Sequence, residues 1–156
     1  CGSLARVVVA NAGGGTVDEW SRLPKPIIVD SGACDSVMPP DWAHNYVVQE
    51  SGREGTTSYV AANGETVPNQ GQKVLNLCTK DGDYEQMKFQ LAPVNQALCS
   101  VSGLCTAGNR VVFEDGWGYL QNKKTRHQTW LEERDGLYIL EPDIAPTNEP
   151  GFGRPA

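Results

Sequence analysis

Lys25 to Trp42 reads KPIIVDSGACDSVMPPDW, and this stretch decides the fold. Ile27, Ile28 and Val29 make a continuous β-branched run, the pattern of a strand buried on both faces. The run delivers Asp30 at its end, and Ser31, Gly32 and Ala33 follow as a tight turn of small residues. Small neighbours let a second chain come close to the carboxylate. Two carboxylates brought together in this way do not both ionise easily and share a proton. One then acts as base toward water while the other donates to a carbonyl. Asp-Ser-Gly is also ordinary turn composition, so the triplet alone describes only a strand end.

Outward from this segment the chain reads as short strands separated by turns. Leu4 to Ala10 is a strand candidate that runs into Gly13-Gly14-Gly15. Ser58 to Ala62 and Glu65 to Val67 flank Asn63-Gly64, a pair that takes the positive φ angles of a type I′ hairpin turn. Lys73 to Cys78 and Gln86 to Ala92 flank Lys80-Asp81-Gly82-Asp83, and Met87, Phe89 and Leu91 alternate with Lys88 and Gln90, one face to the core and one to water. Arg110 to Phe113 pairs with Gly118 to Gln121, and Thr129 to Glu132 with Leu137 to Leu140, across turns carrying Gly116 and Gly136. Helical pattern is confined to Val17 to Leu23 and Asp41 to Tyr46, each shorter than a stable isolated helix. From Glu141 onward, Pro142, Pro146, Pro150 and Pro155 punctuate a tail. The division expected is an N-terminal extension over 1–25, a core domain over 26–105, C-terminal hairpins over 106–140 and the Pro-rich tail over 141–156.

The 156 residues suffice for one domain, and an apolar fraction of 39% with 21% charged fits a globular chain. No apolar run approaches the length of a membrane-spanning helix. The net charge of −6 repels nucleic acid. The one basic cluster, Lys123, Lys124, Arg126 and His127, is followed at once by Glu132, Glu133 and Asp135 and reads as a solvated turn. Cys1, Cys34, Cys78, Cys99 and Cys105 show no CxxC spacing, and His44 and His127 add little, so no metal site is expected. Reduced thiols in an intracellular, reducing compartment fit this usage. Beginning at Cys1 without methionine, the chain reads as a piece of something longer.

Three other motifs carry less. The Gly13-Gly14-Gly15 loop lacks the Gly-Lys-Ser/Thr ending of a phosphate loop and reads as a connector. Ser31 as a nucleophile would need a histidine in reach and a G-x-S-x-G elbow, and Val29 stands where the first glycine of that elbow belongs. Cys34 with His44 can be drawn as a thiol dyad without local context to support it.

Taken together, three segments make the chain resemble the retropepsin-type aspartic proteases of retroelements, most closely those of the copia type. Ile28-Val29-Asp30-Ser31-Gly32-Ala33 matches the signature strand and turn. Ala62-Asn63-Gly64, then Gly71 and a strand, matches the hairpin that follows it. Leu98-Cys99-Ser100-Val101 and Gly108-Asn109-Arg110-Val111-Val112-Phe113 match the closing segment. The resemblance covers Pro26 to Leu140, with Ser100 standing where many retropepsins have glycine.

The resemblance implies an all-β, retropepsin-like closed barrel of short antiparallel strands with one or two extra C-terminal hairpins. It implies Asp30 as the catalytic carboxylate, Ser31 as a tie between two active-site loops and Gly32 as the residue permitting close backbone approach. Ala33, Ala62, Asn63 and Gly64 would face substrate, the last two near the tip of a flap. The triplet occurs once in the chain, so an active enzyme must be a homodimer. Its partners would be a second copy of itself and an extended polypeptide substrate, with no cofactor or metal. The alternative is a domesticated, non-catalytic copy serving as a scaffold or interaction subunit of a larger complex, whose neighbouring subunits hold the N- and C-terminal extensions.

Overall fold

In a computed structural model of the chain, residues 19–61 and 63–147 are described. They form a predominantly β structure. The strands are β1 (Ile27–Asp30), β2 (Val37–Met38), β3 (Ser58–Val60), β4 (Thr66–Pro68), β5 (Gln72–Cys78), β6 (Tyr84–Leu91), β7 (Leu98–Ser100), β8 (Asn109–Glu114), β9 (Trp117–Asn122), β10 (Gln128–Arg134), β11 (Leu137–Leu140) and β12 (Asp143–Ile144), with one short helix, α1 (Val101–Thr106), after β7.

The β5–β6, β8–β9 and β10–β11 hairpins fall where alternation and turn chemistry place them, with Gly82, Gly116 and Gly136 all at positive φ. The strand candidate Leu4 to Ala10 lies outside the described residues. In their described residues neither Val17 to Leu23 nor Asp41 to Tyr46 forms a helix. Ser21 bridges Ile144 through bonds of 2.9 and 2.7 Å, and Asp41 to Tyr46 is a run of turns. The tail also begins later than its prolines suggest, because β12 pairs with β5 and Ile144 packs in the core.

Ten strands join in the order β12-β5-β6-β2-β7-β1-β11-β10-β9-β8, and β3–β4 stands as a separate two-stranded sheet. The ladder does not close, which corrects the expectation of a closed barrel: the ends of the sheet, β12 and β8, do not pair with each other. The sheet is nevertheless curled. β6 and β10 are five steps apart in the order, about 24 Å on a flat sheet. Yet Asp81 in the β5–β6 turn accepts a 2.8 Å hydrogen bond from the Trp130 amide on β10. Asp83 in the same turn holds His127 at 2.6 Å and accepts from Thr129 at 3.3 Å. Side chains thus bridge a gap that no backbone ladder spans.

The concave side encloses one core. Ile27, Val29, Leu75, Leu77, Phe89, Leu91, Leu131, Leu140 and Ile144 belong to a single buried cluster. Each of these side chains, removed from water, contributes about 1.5–3 kcal/mol. Two buried polar side chains are held by hydrogen bonds. Gln90 is buried on the face assigned to water because Asn69 donates to it at 2.8 Å and it donates to Gln72. Lys73 is 2% exposed, and its ammonium donates to the carbonyls of Pro40, Trp42 and Ala43 at 2.9, 2.9 and 3.1 Å, fixing the turns that follow β2.

Candidate active site

β1 is anchored on both sides before it reaches Asp30. It pairs antiparallel with β11 through Ile27 and Ile28, and parallel with β7, where Val29 lies opposite Cys99 and Asp30 opposite Ser100. The turn that follows is closed by the carboxylate itself. Asp30 Oδ1 accepts from the Gly32 amide at 2.7 Å, and the Ala33 amide donates to the Asp30 carbonyl at 3.4 Å. A Cβ on Gly32 would sit 3.3 Å from Asp30 Oδ1, tight enough to push the carboxylate, so glycine here keeps the bond. Ser31 and Gly32 are exposed, while Asp30 and Ala33 are half-buried. The turn therefore presents its small residues outward.

Ser100 holds this turn from below. It is 1% exposed. Its hydroxyl donates to the Ala33 carbonyl at 2.8 Å and accepts from the Gly103 amide at 3.0 Å, while its own amide donates to Ser36 Oγ at 2.9 Å. It is also the N-cap of α1. One side chain so joins the Asp30 turn to the start of the helix.

The hairpin expected as a flap exists as β3–β4, with Tyr59 opposite Val67. Its turn is not type I′. Gly64 has φ +87°, the Ala61 amide donates to the Glu65 carbonyl at 2.8 Å, and the Gly64 amide to the Ala61 carbonyl at 2.9 Å. Ala61 and Glu65 thus flank a three-residue loop with Gly64 at its left-handed position. Asn63 accepts from the Glu65 amide at 2.9 Å. Ala62 lies outside the described residues. Among the described residues Asn63 and Gly64 hydrogen-bond within their own hairpin, not to the Asp30 turn.

The tie between hairpin and turn runs instead through residues that sequence reasoning missed. Asp35, five positions after Asp30, pairs with Arg53 and accepts from the Tyr59 hydroxyl at 3.0 Å. Asn69, just past β4, donates to Tyr59 Oη at 3.1 Å, and its carbonyl oxygen accepts from the Ser51 hydroxyl at 2.8 Å and the Gly71 amide at 3.0 Å. Burial pushes the Tyr59 phenol up, and the bond to Asp35 raises Arg53 further. The Tyr59 phenol and the Arg53 guanidinium are both held in their protonated forms beside Asp35. Asp-Ser in a turn gives no hint of such a partner, which is contributed from a loop eighteen residues on.

The remaining candidates are not assembled. Cys34 and His44 are both exposed, and no hydrogen bond joins them among the described residues. Among the described residues Cys34, Cys99 and Cys105 are free thiols, whereas Cys78 is disulfide-bonded, which corrects the expectation of a reduced thiol at that position. Burial pushes the Cys99 thiol up to about 11, so it is chemically quiet. Among the described residues no three His, Cys, Asp or Glu side chains converge as a metal site would require. No helix there is long and apolar enough to cross a membrane. A cavity of about 420 Å³ lies between the β5–β6 hairpin and β9–β10, lined by residues including Leu77, Asp83, Met87 and His127 but not by Asp30. Comparison with known proteins returns no matching family model, no matching curated protein and no matching solved structure.

Proposed function

We propose that the chain is an aspartic endopeptidase of the retropepsin-like kind, active as a homodimer in which each copy contributes Asp30. The observation that carries this reading is the Asp30 turn. A carboxylate at the end of a doubly paired strand is fixed by the Gly32 amide and followed by exposed small residues, so a second copy can approach it. One chain offers one such carboxylate, and the chemistry needs two: one ionised to take a proton from water, one protonated to donate to the scissile carbonyl. The cleft would then form between copies, which accounts for a cavity in the single chain that excludes Asp30. The β3–β4 hairpin, held to the turn through Asp35, would cover an extended polypeptide bound by its main chain.

The experiment is hydrolysis of an unfolded protein substrate between pH 4 and 7 with chelator present, comparing the native chain with Asp30→Asn. The reading expects cleavage at mildly acidic pH that disappears in the variant. Equal turnover by both would move the chemistry away from Asp30. The rival scaffold reading rested on chain ends held by neighbours. Where the ends are described, Ser21 and β12 pair within their own domain, so no observation favours it over the enzyme.

A further inference from the structure

The sheet has two ends, and they differ. At one, β12 is two residues long and its outer side is bridged by Ser21. At the other, β8 is six residues long, and no strand among the described residues pairs with its outer side. Among the described residues this edge is uncovered, and an edge of this length presents unpaired amides and carbonyls to an extended partner. Its sequence, Asn109-Arg110-Val111-Val112-Phe113-Glu114, is complementary to itself in the antiparallel sense. Centred on Val112, a second copy would place Arg110 opposite Glu114 and Val111 opposite Phe113, and by symmetry the reverse.

The face of the sheet points to the same register. Val112 lies opposite Tyr119 on β9, and Tyr119 opposite Trp130 on β10. Trp130 is 56% exposed and stacks on Trp117, with ring centroids 4.6 Å apart and planes 7° apart. An apolar row thus runs across three strands and stops at the edge, at Val112. On the opposite face Phe113 is 39% exposed beside Tyr138. The two charges near the ends of β8 are only lightly engaged, Arg110 reaching Gln121 at 3.3 Å.

We infer that β8 is a self-association edge: two copies join antiparallel about Val112, with Arg110 facing Glu114 of the other copy on either side and the Trp130–Tyr119–Val112 row continued across the seam. This contact is separate from the pairing of Asp30 turns. β8 is four strand positions from β1 in the sheet order, so the two contacts use different strands. The inference does not depend on peptidase activity, and a chain with none would still pair.

The test is self-crosslinking at the symmetry centre. In a Cys34→Ser/Cys105→Ser background, Val112→Cys places two thiols on residues whose Cα atoms would lie about 4.5–5.5 Å apart, within disulfide reach. Under mild oxidation the disulfide dimer is expected at least about ten times faster than for Lys123→Cys, an exposed turn position used as control. Adding Arg110→Glu or Glu114→Arg puts like charges opposite each other twice and is expected to slow crosslinking about tenfold. Adding both restores it. Crosslinking no faster than the control overturns the inference. So does indifference to the single reversals, or failure of the double reversal to restore the rate.

Discussion

At the scale of single residues, the Asp30 turn was legible because everything that shapes it is local: a β-branched run, a carboxylate and two small residues. Ser100 was not, because its partner Ala33 lies sixty-seven positions away, and sequence pattern only marked it as a departure from the motif it resembles. Its geometry makes a prediction. Ser100→Ala loses a buried bond to Ala33 and the cap of α1, and should lower unfolding free energy by about 1–2 kcal/mol in a denaturant titration. Ser100→Gly, the residue many retropepsins carry here, should lose the Ala33 bond as well. A titration midpoint unchanged from the native chain would show that the bond does not hold the turn. Lys73 makes a second. Burial lowers its pKa, so between the folded and unfolded values the unfolded chain binds more protons and stability rises with pH. Lys73→Met leaves three carbonyls unpaired and should cost about 1–3 kcal/mol at neutral pH. It should also flatten the rise in melting temperature as the pH climbs toward 10.5, the ordinary lysine value. A variant melting like the native chain, with the rise intact, would show that the ammonium is incidental.

At the scale of elements, the hairpins were legible wherever a glycine at positive φ closes two alternating strands, as at Gly82, Gly116 and Gly136. The β3–β4 turn was read one residue too tight, since Asn-Gly suits two loop geometries and only the Ala61–Glu65 pairing selects between them. α1 was missed because Gly103 and its six-residue length hide it. The network joining β3–β4 to the Asp30 turn was invisible for the same reason as Ser100: Asp35, Arg53, Tyr59 and Asn69 meet only in three dimensions. Replacing Asp35 by Ala leaves Arg53 unpaired and Tyr59 without its acceptor. Amide exchange in residues 58–68 should then accelerate about tenfold while β5–β6 stays protected. Uniform acceleration across the sheet would make Asp35 a general stabiliser instead of a tie for the hairpin. The cysteines give a simpler check on strand burial. Alkylation at pH 8 followed by peptide mapping should modify exposed Cys34 and Cys105 and spare Cys99 on β7 until the chain is unfolded. Labelling of native Cys99 at the same rate would contradict the packing of β7.

At the scale of the whole molecule, sequence yielded the all-β class and the C-terminal hairpins, because alternation and turns are read along the chain. It did not yield strand order. Ladder closure depends on which edges meet, and here the β5–β6 turn reaches β10 through Asp81 and Asp83 side chains while β12 and β8 remain ends. It also placed the end of the fold too early, since nothing in Pro142 to Pro146 announces that Ile144 completes the core.

The central claim is that catalysis needs Asp30 from two copies, and subunit mixing tests it most directly. Native chain and Asp30→Asn are unfolded together, refolded at fixed total concentration, and assayed as the native fraction is lowered. Because a mixed dimer lacks one of the two carboxylates, the activity per native chain should fall in proportion to the native fraction. Activity per native chain that stays constant across the mixtures would mean that each Asp30 works alone, and would contradict the account.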